Sequence, residues 1–167
     1  MSITLVPEDG TGMSTANTLC TLVEATAILI NDPQATDWIG SEDDEKRKAA
    51  LVRSMELMRE HLRWNGETLN STQRAPLPRT GLFDRNGYEV LSTAVPEDGK
   101  RAQAYLALLL FRDDRISESG DGIEAAVRMG QTSVTYGSGG SGVELIPDWV
   151  RAPIRPFLDE SIHVWRA

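Results

Sequence analysis

The side chains in this sequence that could do covalent or metal chemistry are few and far apart. Cys20, His61 and His163 supply its thiol and imidazole groups. A cysteine enzyme needs its thiol beside a base that a third group orients. Cys20 lies instead against an apolar stretch, where a small buried hydrophobe is the simpler role. His61 falls on a helix beside Arg63 and Trp64, and the two histidines lack ligand spacing to each other. Asp113, Asp114, Glu118 and Asp121 offer carboxylate oxygens of the kind hard cations want, but without the spacing of a calcium-binding loop. The glycine and serine run 137–142 has no following Lys-Ser or Lys-Thr and no strand-to-helix setting, so it does not read as a phosphate loop. These residues assign no catalytic, cofactor or metal site, and the chain reads as a protein that is not an enzyme.

The residues that point to binding lie in the middle of the chain. Arg63, Trp64, Arg74, Arg79, Phe83, Arg85 and Tyr88 bring four arginines and three aromatics close together. A groove that holds single-stranded DNA combines basic groups with stacking aromatics. The charge balance argues the other way. The formal net charge is -8, and no Lys or Arg precedes Lys46, which leaves Glu8, Asp9, Glu24, Asp32, Asp37 and Glu42 to Glu45 unopposed. Such a surface repels phosphate, whereas nucleic-acid affinity rests on clustered Lys and Arg. It suits a wall past which DNA slides. The arginines have a second role open to them, pairing between subunits with the acids of 42–45 or 113–121, a task for which the planar guanidinium is well shaped.

The elements that must position these residues follow from capping and periodicity. Residues 1–20 read as extended and polar, with Asp9 to Gly12 as a turn cluster. Thr21 and Glu24 form a capping box that opens a first helix from Leu22 to Asn31, and Pro33 stops it. Trp38 is the anchor of the connection. Ser41 caps a second helix with Glu42 to Glu45 at its positive end and Leu51, Met55, Met58 and Leu62 on one face; Trp64-Asn65-Gly66 ends it. A third helix starts at Pro96 and runs to Phe111, apolar nearly all round at its far end, so it needs cover on most sides. A charged loop 112–122 leads to two short strands, 123–127 and 132–136. The run 137–142 then reads as a flexible tether. The last segment carries Trp149, Ile154, Phe157, Leu158, Ile162, Val164 and Trp165, too apolar to stand in water. It either folds back on its own core or docks on a neighbour.

Between the second and third helices lies a long turn-rich connection, a kind of segment that usually carries function. It reads Pro76-Leu77-Pro78-Arg79-Thr80-Gly81, then Asp84-Arg85-Asn86-Gly87-Tyr88, then Val95-Pro96 entering the alanine-rich helix. Asn86-Gly87 is by itself a common hairpin turn. In this order, after a helix ending in Arg63-Trp64, the parts resemble the head-to-tail adaptor (head completion) proteins of tailed bacteriophages. Many relatives also carry the label of DnaT-like single-stranded-DNA-binding proteins. The resemblance spans residues 5–136 and departs at Leu77, where relatives often place a Trp before the Pro-Arg pair.

The resemblance implies a mainly α fold: a small helical bundle with a long irregular loop, a short β-hairpin and an extended C-terminal arm. It divides the chain into an adaptor core (1–136), a tether (137–142) and a docking arm (143–167). It further implies a structural virion protein, assembled in the host cytoplasm, that forms a twelve-fold ring beneath the portal. There it would join head to tail and extend the DNA channel. Its partners would be the portal protein, copies of itself, the next neck or tail protein and DNA passing through the lumen, with no membrane and no cofactor. Trp149, Arg151, Arg155, Phe157 and Trp165 would contact the portal; Arg74, Arg79, Phe83, Arg85 and Tyr88 would form the subunit-interface loop. Single-stranded-DNA binding is the alternative expectation.

Overall fold

The first helix, α1 (Leu22–Leu29), is held by reciprocal capping: the Glu24 N–H donates to Thr21 Oγ1 at 3.1 Å, and the Thr21 N–H donates to Glu24 Oε2 at 2.7 Å. In this computed structural model, which describes residues 2–112 and 146–159, α1 stops just short of the Asn31-Asp32-Pro33 break. The chain then makes a 3₁₀ turn (Pro33–Ala35) and a single helical turn, α2 (Thr36–Ile39), neither of which the sequence pattern announced. Trp38 is fully buried, as expected of an anchor. Its indole N–H donates to Thr26 Oγ1 at 3.1 Å, and its ring meets Phe111 edge-on at 5.4 Å.

The second long helix, α3 (Asp44–His61), is capped by Asp43, not Ser41. The Asp43 carboxylate accepts from the Lys46 N–H at 2.9 Å, while Ser41 Oγ accepts from the Asp43 N–H one step earlier. The run Ser-Glu-Asp-Asp offers several capping side chains, and tertiary contact selects among them: Arg47 donates to the Trp38 carbonyl and pairs with Asp44, which fixes where the first turn begins. The helix also ends earlier than the Trp64-Asn65-Gly66 signal suggested, with Leu62 extended at its C-cap. Gly66 does adopt a left-handed conformation (φ +67°), but in a turn beyond the helix.

Helix α4 (Glu97–Arg112) begins one residue after Pro96, whose carbonyl accepts from the N–H groups of Gly99 and Lys100. Pro96 therefore stands at the cap instead of inside the first turn. Ala102, Ala104, Leu106, Ala107, Leu108 and Phe111 are buried, and α3 and α1 pack along this helix. Among the described residues, buried apolar side chains form two clusters. One joins Cys20, Ala25, Leu29, Trp38, Leu51, Leu108 and Phe111 around α1 and α2. The other joins Leu19, Met55, Met58, Leu77, Leu82, Leu106, Val150, Ile154 and Phe157. Leu77, which stands where relatives often have Trp, fits against Gly99: a Cβ there would lie 2.5 Å from Leu77 Cδ1.

One polar side chain ties the layers together. Gln103, on α4, is fully buried. Its Oε1 accepts from the Leu19 N–H at 2.8 Å, and its Nε2 donates to the Leu51 carbonyl at 2.9 Å and to Thr18 Oγ1 at 3.0 Å. The N-terminal arm, α3 and α4 thus meet at a single amide. The arm is more ordered than its polar composition suggested. The buried Glu8 carboxylate collects the N–H groups of Gly10, Gly12 and Met13, and the Ile3 N–H donates to Glu45 at the start of α3. Gly10 needs its φ of +101° and its lack of a Cβ, which would lie 2.2 Å from the Thr93 carbonyl oxygen.

Past the undescribed stretch, α5 (Asp148–Arg151) runs into a 3₁₀ turn (Ala152–Phe157). Ile146, Val150, Ile154, Phe157 and Leu158 are buried in the chain's own core. The fold is mainly α, and the described residues hold one short antiparallel pair, β1 (Glu67–Thr68) and β2 (Arg79–Thr80). The expected strands at 123–127 and 132–136, the tether 137–142 and the charged loop after Arg112 lie outside the described residues.

Two substitutions test this account. Replacing Gln103 with Leu keeps the volume but leaves the Leu19 N–H buried without a partner, while the Leu51 carbonyl keeps the Ser54 hydroxyl, so urea unfolding should show a loss of about 1–3 kcal/mol. Phe157→Ala should cost about 3–5 kcal/mol in the same measurement, since it empties a site shared by the C-terminal segment and the rest of the core. An unchanged midpoint for Phe157→Ala would mean that residues 146–159 do not belong to the folding unit.

Candidate functional site

The connection from α3 to α4 is an ordered strap, built first by apolar burial of Ala75, Pro76, Leu77 and Pro78. The Leu77–Pro78 peptide bond is cis. Amide side chains then pin the backbone. Gln73 donates to the carbonyls of Ala75 and Pro78 and accepts from the Leu69 N–H, and Asn70 donates to the Gly12 carbonyl of the N-terminal arm. Glu67 pairs with Thr80 and Thr68 with Arg79. At Gly66 a Cβ would stand 2.1 Å from the Thr80 carbonyl oxygen, so the turn before β1 admits only glycine.

The strap uses two of its arginines internally. Arg79 donates through Nε to the Asn65 carbonyl at 2.7 Å and through Nη2 to the Gly66 carbonyl at 2.9 Å. Burial draws its pKa below that of a free guanidinium, although two carbonyl dipoles face the charge. Arg74 lies 3.4 Å from Glu56 of α3, and its backbone N–H donates to Met13. Both side chains brace the strap. Trp64 is likewise engaged, its indole N–H donating to the Met58 carbonyl at 3.1 Å and its ring packed on the core.

Beyond β2 the chain forms the hairpin that Asn86-Gly87 signalled. The Val90 N–H donates to Leu82, the Asp84 N–H to Tyr88, and the Asp84 carboxylate accepts from the N–H groups of Asn86 and Tyr88. Gly87 has φ +84°. Leu82 points into the core, and its neighbour Phe83 points out. Phe83, Tyr88 and Leu91 are 53%, 73% and 74% exposed. Three large apolar side chains within nine residues are thus left in water, a feature often found at contact sites. Arg85, also exposed, donates to the Ala152 carbonyl at 3.3 Å and so sets the hairpin beside the C-terminal segment. Of the seven residues that could bind single-stranded DNA, the structure leaves Arg63, Phe83, Arg85 and Tyr88 on the surface.

The C-terminal residues divide differently. Phe157 is a core side chain, 2% exposed. Trp149 is about half exposed, with its ring 5.7 Å from Tyr105. Arg151 and Arg155 both reach Asp148, at 2.7 and 3.2 Å. Trp165 lies outside the described residues. Sequence reading overlooked Leu91 and the outward face of α1, where Val23, Ala27 and Ile30 are exposed. The signal was there in α1, whose apolar residues surround the helix instead of lining one face.

Cys20 is fully buried, and burial pushes its thiol up to about 12, far from the range of a reactive thiolate. Among the described residues no helix is long and apolar enough to cross a membrane. Comparison with known proteins gives one result. No curated protein and no solved structure matches the chain. The model of one family, described as "Putative DnaT-like ssDNA binding protein", matches residues 3–166, nearly the whole length. The chain belongs to this DnaT-like family.

Proposed function

We propose that this protein is a structural component of a tailed-bacteriophage neck. Copies assemble as a ring beneath the portal, join head to tail and extend the DNA channel, and the protein carries out no reaction of its own. One observation carries the reading: the strap engages Arg74 and Arg79 inside the chain while its hairpin holds Phe83, Tyr88 and Leu91 out in water. A loop braced in this way and tipped with apolar groups is suited to a protein partner. The resemblance of residues 76–111 to head-to-tail adaptors and the net charge of -8, which disfavours adhesion of DNA to a channel wall, support the same conclusion. On this reading the protein is assembled in the host cytoplasm and ends in the virion neck, with the portal, its own copies and the next neck or tail protein as neighbours.

The family's description favours a second reading, single-stranded-DNA binding. Phe83 and Tyr88 would serve as stacking platforms, with Arg63 and Arg85 beside the backbone.

One double variant separates the two. The Phe83→Ala/Tyr88→Ala protein is mixed with the portal of its own phage for negative-stain electron microscopy, and with a fluorescent oligothymidylate for anisotropy. The neck reading expects a ring below the portal with the parent chain, loss of that ring with the variant, and no salt-sensitive oligonucleotide binding by either. The DNA reading expects no ring, together with binding that weakens in the variant by roughly 1–3 kcal/mol per lost stack.

A further inference from the structure

The N-terminal arm and the strap meet at one short loop, residues 8–13, and a single carboxylate organises it. Glu8 is 5% exposed. Its Oε1 accepts from the N–H groups of Gly10 at 3.1 Å and Gly12 at 2.8 Å, and its Oε2 accepts from the Met13 N–H at 2.9 Å. An ionised carboxylate accepts and does not donate, so it suits a place where three backbone donors converge out of water.

The two glycines that share Oε1 serve opposite ends of the strap. A Cβ on Gly10 would collide with the Thr93 carbonyl, just before α4. A Cβ on Gly12 would lie 2.7 Å from Asn70 Nδ2 and 3.0 Å from Gln73 Oε1, where the strap begins. Both glycines take positive φ, +101° and +76°. Hydrogen bonds complete the join, from Asn70 Nδ2 to the Gly12 carbonyl at 2.9 Å and from the Arg74 N–H to the Met13 carbonyl at 3.2 Å. Loop 8–13 thus touches the strap at 70–74 and again at 93, and the hairpin is the part of the chain between those two points.

This loop is fastened differently from the helices. Apolar clusters join α1, α3 and α4, whereas the buried residues among 2–13 are Glu8, Gly10 and Gly12, none of which brings an apolar side chain. Segments held by hydrogen bonds with little apolar burial open at a lower free energy than the whole fold.

We infer that Glu8 makes residues 2–13 a releasable clasp on the strap. With the carboxylate seated, the base of the strap is shut and the hairpin is presented; when the arm lifts, the hairpin loosens while the helices stay packed. The coupling is reciprocal, so a partner seated on the hairpin also holds the arm down. The clasp works in the same way whichever partner takes the hairpin, and its test is separate from that of the neck reading.

Native-state hydrogen exchange read by NMR provides that test. In the parent chain the amides of Asn17 and Arg74, which report the clasp, and those of Asp84 and Val90, which report the hairpin, should exchange through one shared opening. That opening should be about a hundredfold or more easier than the one that exposes Ala104 and Ala107 inside α4. Glu8→Ala, which touches no hairpin atom, should speed the clasp and hairpin amides together, by roughly tenfold or more. Acetate supplies the atoms removed by that substitution and should slow both sets again, where chloride at equal ionic strength does not. Hairpin amides that ignore Glu8→Ala, clasp and hairpin amides as well protected as those of α4, or a variant indifferent to acetate would each overturn the clasp. Should Glu8→Ala not fold, the surface change Asn70→Ala decides: it must speed the hairpin amides in step with that of Arg74, and a hairpin left at the parent's rate refutes the coupling.

Discussion

The arrangement of this protein depends on a buried amide. Gln103 on α4 satisfies backbone groups of the N-terminal arm and of α3 from a site with no access to water, where an unmet partner would be costly. Apolar packing draws the helices together but is tolerant of small slides and rotations. The amide is not tolerant, because it must meet the Leu19 N–H and the Leu51 carbonyl at once. Setting Leu19 fixes the route of the arm, and the arm through Gly12 and Met13 receives Asn70 and Arg74 of the strap. The position of the exposed hairpin is therefore traceable, contact by contact, to one side chain in the core.

Much of this was readable where the determinants are local. The Thr21–Glu24 box, the Pro33 stop, the Asn86-Gly87 turn and the buried Trp38 each depend on a few neighbouring residues, and each stands where the sequence put it. Boundaries chosen by distant contacts were not readable. Asp43 outcompetes Ser41 because Arg47 is drawn to the Trp38 carbonyl, and α3 stops at His61 because Trp64 and Asn65 are drawn toward Leu158 and Phe157. Gln103 and Glu8 were missed for a related reason. In a sequence both look like solvent-facing polar residues, and their burial is visible only once three segments have met around them.

The candidate surface was legible in composition more than in role. Seven arginines and aromatics drew attention as a set, yet the fold separates them. Arg79, Arg74 and Trp64 stabilise the strap, and Phe83, Arg85 and Tyr88 remain available to a partner. Charge and aromatic content identify a segment worth attention but do not say which donors the backbone will claim. Arg79 is taken up by two internal carbonyls and Arg74 by the Glu56 carboxylate, which leaves the strap fewer free cations than its composition suggests.

The seating of residues 146–159 has a consequence for how the polypeptide matures. Val150, Ile154 and Phe157 complete the cluster that holds Leu77 and Leu82, and the Asn65 N–H donates to the Phe157 carbonyl. These residues are translated after the rest of the described core, so a nascent chain emerging from the ribosome lacks a wall of that core until they have been made. The strap beneath the hairpin can take its final shape only then. Chains that stop before residue 146 would lack the means to present the hairpin properly.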